Sequence, residues 1–150
     1  MNDRSDLIVQ CFRYLIDEYG FKVERKEFDP NTMGNAVVIF KSTKIGIEIV
    51  IDRDQALISI GDQSDPRKLW FEFGDVVQFF APFIDNVYDF PEETPETGNW
   101  DEIVEAQLNR LAAILRQYCE PLLTGEPLMK TEIKKVEEKR VAEMFKRYGQ

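Results

Sequence analysis

The sequence predicts an α+β fold: an antiparallel meander of four to five strands packed against N-terminal and C-terminal helices. Three observations predict it. Ile45, Ile47, Ile49 and Ile51 alternate with Gly46, Glu48, Val50 and Asp52, which puts four isoleucines on one face of a strand. Apolar residues recur at the 3.6-residue helical period near both ends of the chain. Short, turn-rich connections separate the middle segments, and these favour antiparallel pairing over crossovers.

The first element reads as a helix from about Asp3 to Tyr19. Ile8, Cys11, Phe12, Leu15, Ile16 and Tyr19 share one face, and Asp6, Gln10, Arg13 and Asp17 the other. Gly20 follows as a residue able to take the left-handed conformation that ends a helix. Phe21 to Phe28 opens with apolar–polar alternation and runs into the turn-rich stretch Asp29–Asn35. Ala36 to Lys41 is an apolar run suited to a central strand. The isoleucine strand comes next, then a turn at Asp52–Gln55, then Ala56 to Ile60 pairing back, closed by Gly61-Asp62. Beyond Asp65-Pro66, Leu69 to Phe73 reads as one more short strand, with Leu69, Phe71 and Phe73 on one side and Trp70 and Glu72 on the other.

Asp75 is expected to cap a short helix carrying Val76, Val77, Phe79 and Phe80, ended by Pro82. A loop follows from Asp85 to Asn99 with Pro91, Pro95, Gly98 and many acids; loops longer than about 12–15 residues are commonly functional. Asn99 begins the longest helix, with Glu102 completing an Asn-x-x-Glu capping pattern. Val104, Leu108, Leu111, Leu115 and Tyr118 form its stripe, and Pro121 is expected to stop it. A last helix runs from about Glu126 to Tyr148. Met129, Ile133 and Val136 share one of its faces, while Val141, Met144, Phe145 and Tyr148 lie a quarter turn away. Arg140 stands where the first stripe should continue. The second half of this helix therefore docks on a different surface of its own domain or meets another chain. No internal repeat appears, so residues 1–150 read as one domain.

Composition narrows function mainly by exclusion. The 150 residues include 28 acidic and 19 basic side chains and no histidine, for a net charge of −9. Histidine-based triads and histidine metal ligands are therefore excluded. The acidic balance argues against a nucleic-acid partner, which needs clustered Lys and Arg. No run of about eighteen apolar residues suggests a membrane span, and the start Met1-Asn2-Asp3-Arg4-Ser5-Asp6 does not read as a signal peptide. A cytoplasmic protein is expected. Cys11 and Cys119 sit in helical stripes as small buried hydrophobes, and two lone thiols do not make a zinc site. Phosphate-binding glycine loops and nucleophile-elbow motifs are absent, so no cofactor is expected.

Charge is unevenly spread. Residues 69–109 hold ten acids and no base, whereas residues 130–150 hold seven bases and four acids. Helix-dipole preferences account for part of this, because Asp101, Glu102 and Glu105 lie at a helix start and Lys146 and Arg147 near a helix end. The remainder is either a solubilising surface or an attractive field for a cationic partner. Nine aromatics between Trp70 and Trp100 crowd the same region. Aromatic side chains ringed by carboxylates suit a binding surface. Tyr88, Asp89, Phe90, Glu92, Glu93, Glu96 and Trp100 are the partner-binding candidates, and packing of this loop on its own domain is the alternative. Glu48, Asp52 and Asp54 gather at one hairpin end, where they could hold a hard cation or simply form a solvated edge.

The stretches Phe12–Phe21, Gly34–Phe40 and Ile49–Gln55 resemble a pattern in small uncharacterised bacterial single-domain proteins, some of them similar to immunity proteins that neutralise a cognate toxin. The likeness covers about residues 5–80 and rests on a helix stop, a turn and a hairpin, so it carries over no functional residue. The ten acids without a base across residues 69–109 lead to the expectation of a cytoplasmic, non-enzymatic binding protein, such as an immunity-like inhibitor, that presents the 85–105 segment to a basic protein partner. Self-association as a homodimer through the C-terminal helix is the alternative. A carboxylate- or metal-dependent enzyme built on Glu48, Asp52 and Asp54 is the third.

Overall fold

A computed structural model describes residues 2–63, 69–88 and 99–148. Among them, five antiparallel strands run in sequence order across one sheet: β1 (Lys22–Asp29), β2 (Asn35–Lys41), β3 (Ile45–Asp52), β4 (Gln55–Asp62) and β5 (Trp70–Glu72). The α+β meander read from the sequence is the observed architecture. One face is packed. Ile45, Ile47, Ile49 and Ile51 are fully buried there with Ala36, Val38 and Phe40 of β2 and Ala56, Ile58 and Ile60 of β4. The roof over this face comes from α1 (Arg4–Cys11), α3 (Phe73–Phe80) and α4 (Trp100–Tyr118), which contribute Ile8, Val76, Val77, Val104, Leu108, Leu111 and Leu115. The other face is partly wet. Trp70 lies across it on Gly46 and Gly61, where an added Cβ would come within 2.6 and 2.7 Å of the indole.

The N-terminal helix is not continuous. Phe12 leaves helical geometry, and α2 (Tyr14–Asp17) resumes after it. Leu15 N–H donates to the Phe12 carbonyl at 3.0 Å, a tighter turn than the α-helical one. The tightening brings Phe12 and Leu15 into the same core, both fully buried. Gly20 closes the helix at φ +73°, in the left-handed region expected of it. At the sheet edge, β1 starts at Lys22 rather than Phe21, and its register shifts between Val23 and Arg25, so Val23 is exposed. The bulge accounts for the lost alternation.

Five further expectations are corrected around the helices. Phe73 opens α3 rather than closing a strand, and Leu69 is exposed, unlike its buried neighbours Phe71 and Phe73. Glu72 is the cap residue of α3, whereas Asp75 lies inside the first turn and pairs elsewhere. Pro121 does not simply stop a helix. The chain turns at Cys119, and Pro121 sits in the first turn of α5 (Glu120–Leu123), where its missing N–H costs nothing. The last helix, α6 (Lys130–Tyr148), begins four residues later than expected, after Gly125 at φ +101° and Pro127.

Polar contacts fix the helices to the sheet. Asn99 caps α4 by accepting from the Asp101 N–H at 3.0 Å. Gln107 of α4 reaches the β3–β4 hairpin, accepting from Ala56 N–H at 2.9 Å and donating to the Asp54 carbonyl at 3.1 Å. That hairpin turns through Arg53 and Asp54, both at positive φ without glycine. This is costly backbone that tertiary contacts must hold. Arg4, 1% exposed, supplies one such contact through a 2.6 Å ion pair with Asp54.

Candidate functional site

A cleft of about 470 Å³ lies between α3, the segment 84–88 and α6. Its geometry begins where β5 ends. Past Glu72 the chain turns into α3, which leaves the Ile58 backbone, paired with Ile49 on its β3 side, without a strand on its β5 side. The Tyr88 hydroxyl substitutes for one: it accepts from the Ile58 N–H at 3.1 Å and donates to the Ile58 carbonyl at 3.3 Å. Burial, and next the charge of Glu72, push the Tyr88 phenol above its ordinary range, so it stays a neutral hydroxyl.

On the opposite wall, Asp75 is 2% exposed and held by Arg140 of α6. The guanidinium binds in a two-pronged way, Nε to Oδ1 at 2.8 Å and Nη2 to Oδ2 at 3.0 Å. Arg140 thus interrupts the apolar stripe of α6 because it faces a buried acid, not because the helix lacks a docking face. Around Arg140 the helix is seated by Ile133, fully buried, and Val136, half-buried, with Lys130 paired to Asp62 at 3.0 Å. The basic end of the chain therefore neutralises part of the acidic middle.

Glu72 lies between these groups, hydrogen-bonded to the Tyr88 hydroxyl and acting on the charge of Arg140. It is half-buried, its Oε1 is buried without a hydrogen-bond partner, and its Oε2 lies beside Gly74. Asp85, Lys139 and Glu143 complete the charged rim, with Ile84, Val87 and Val136 as apolar lining. No protein-family model, curated protein or solved structure matches this chain. The chemistry of the residues is therefore the whole basis for a functional reading.

The sequence-derived partner residues are placed as follows. Tyr88 is half-buried and seals the edge of β4, while Trp100 is 45% exposed at the start of α4. Asp89, Phe90, Glu92, Glu93 and Glu96 lie outside the described residues. Asp101 is not a free surface acid, since it accepts from Arg4 Nε at 3.0 Å and from the Asn2 N–H at 3.1 Å. Of the candidate cation ligands, Asp54 is committed to Arg4, and Glu48 and Asp52 lie on β3. Among the described residues no three acidic or cysteine side chains gather around a metal position. Both cysteines are free thiols; burial, then the charge of Glu105, raises Cys11 to about 11, and burial raises Cys119 to about 12. At neutral pH both are thiols rather than nucleophilic thiolates.

Sequence reasoning missed Glu72 and Arg140 as site residues. Arg140 left a trace, as the basic residue that breaks an apolar stripe. Glu72 left none, because its role depends on where β5 stops. Among the described residues no helix is long and apolar enough to cross a membrane.

Proposed function

We propose that this chain is a non-enzymatic cytoplasmic binding protein, an immunity-like inhibitor that presents its acidic, aromatic-containing 85–105 segment to a basic protein partner. One observation carries the reading: ten acids without a base across residues 69–109, of which Asp75 and Asp101 are neutralised by Arg140 and Arg4. Asp85, Glu102 and Glu105 are exposed, with Trp100 exposed beside them in sequence. Such a field speeds encounter with a cation-rich surface and weakens with salt. Titration calorimetry with an octalysine peptide tests it. Affinity should fall roughly tenfold when Glu92, Glu93 and Glu96 are all changed to Gln. It should stay unchanged when Asp17, Glu18 and Glu24 are neutralised instead. Equal effects from the two triples would remove the reading.

A second reading has its own observation. Met144, Phe145 and Tyr148 of α6 are 51%, 68% and 77% exposed, and with Val141 they follow helical spacing. This apolar stripe suits self-association as a homodimer. Sedimentation velocity should then show a dimer that Phe145→Glu converts to monomer, and a monomer at every concentration would discard it.

A further inference from the structure

We propose that the open face of the sheet seats the exposed end of α6 of a second copy, so that two copies pair reciprocally through two such contacts; this rests on the homodimer reading above and names the surface that meets the stripe. α6 is committed to its own domain only as far as Arg140. Ile133 is buried, and Arg140 holds Asp75 of α3. Val141 is half-buried, and residues 142–148 are all exposed. Val141, Met144, Phe145 and Tyr148 follow one another at three- and four-residue steps, so they share a face. Lys146 and Arg147 accompany them in the last turn.

The sheet carries the complementary pattern. Val37, Val50 and Leu57 stand directly opposite one another across β2, β3 and β4, on the face that the helices leave open. They make an apolar row that the chain itself covers only in part. A hollow of about 480 Å³ adjoins Val37 and Val50; Glu27, Asp29 and Asp52 edge it, and no basic residue lines it. Arg25 pairs with Glu27, whereas exposed Arg53 reaches Asp52 only at 4.0 Å. An apolar row with carboxylates at its end thus matches an apolar stripe with Lys146 and Arg147 at its end. A chain does not cover its own row, because Arg140 ties its α6 to α3, and α3 packs on the opposite side of the sheet. Area argues for two contacts over one. Burying the exposed parts of Met144, Phe145 and Tyr148 removes on the order of 350 Å² from water. Counted on both partners and for both contacts, that is roughly 1,400 Å², the size of a stable interface, and a single contact falls short of it.

The test is sedimentation velocity of the full chain across a concentration series, with Phe145→Glu, Leu57→Glu and Phe83→Glu as variants. Wild type should sediment as a dimer. Phe145→Glu and Leu57→Glu should each weaken dimerisation at least about 100-fold and run as monomers. Phe83, 70% exposed, belongs to neither surface, and Phe83→Glu should leave the dimer intact. The decisive sample is an equimolar mixture of Phe145→Glu and Leu57→Glu. One variant keeps its sheet face and the other keeps its stripe, so a single sound contact forms and a dimer weaker than wild type should return. Its return also shows that both variants are folded. Urea midpoints, with Leu57→Ser as a milder substitute, report folding of each variant alone. A dimer that survives Leu57→Glu but not Phe145→Glu would mean that stripe packs on stripe, which defeats this inference and leaves the homodimer reading standing. A folded mixture that stays monomeric, or equal loss with Phe83→Glu, would also overturn it. Wild type forming species larger than a dimer would overturn the reciprocal pairing, since an unclosed contact of this kind propagates. A wild-type monomer at every concentration would remove the homodimer reading and this inference together.

Discussion

Replacing Arg4 with alanine is expected to cost about 3–5 kcal/mol of folding stability, measured by urea denaturation of wild type and variant. The side chain is 1% exposed and joins three parts of the chain. It pairs with Asp54 at 2.6 Å and with Asp101 at 3.0 Å, and it donates to the Met33 carbonyl at 3.3 Å. Met33 and Asp54 both lie in turns held at positive φ without glycine at those positions. Removing Arg4 leaves two carboxylates with 19% and 16% exposure unpaired and releases both turns. Arg4→Lys keeps the charge but not the fork, so it should lose an intermediate amount. By contrast, Arg116→Ala, which removes a half-exposed pair with Glu18, should cost at most about 1 kcal/mol. Equal losses for Arg4→Ala and Arg116→Ala would refute the role given to Arg4.

The same contact fixes a pH dependence. Burial, the largest single influence on Asp101, raises its carboxyl. The Asn2 N–H, the Arg4 hydrogen bond and the Arg4 charge together outweigh it and hold the carboxyl below its ordinary value of 3.8. A carboxylate with a lowered folded pKa binds fewer protons folded than unfolded. Its stabilisation is therefore present above pH 3.8 and lost as the pH falls through the lower folded value. Arg4→Ala should flatten that acid limb of the stability profile.

Phe40→Ala should cost a similar amount, about 3–5 kcal/mol, through the cavity it opens. Phe40 is fully buried on β2, beneath Phe12 at a centroid distance of 6.4 Å, with the β3 isoleucines alongside. Leu57 on the wet face provides the contrast. It is 36% exposed, and Leu57→Ala should lose about 1 kcal/mol or less. Thermal or urea unfolding of the two variants separates the packed face from the open one. A larger loss at Leu57 than at Phe40 would mean that the sheet packs with the opposite face inward.

What the sequence determined by itself is the pattern of local structure and the side of each element that is buried. Period-two alternation at Ile45–Ile51 leaves only one register that hides all four isoleucines, and short turns leave only antiparallel neighbours. The stripes of α1 and α4 likewise name their buried faces. These are properties of spacing, and spacing is written in the chain. The split at Phe12, the helical start at Phe73 and the late start of α6 are not, because each depends on how far a neighbouring element extends. Long-range charge pairing was equally hidden. Arg4 reads as one polar residue in a polar start, yet it is buried because Asp54 and Asp101, fifty and ninety-seven positions away, converge on it. Arg140 reads as a flaw in a stripe, yet it covers Asp75. Glu72 becomes a cleft carboxylate only because β5 is three residues long and Tyr88 fills the ladder beyond it. Desolvation makes such pairings decisive, since a charge withdrawn from water must meet its partner, and only the tertiary structure says which partner is within reach.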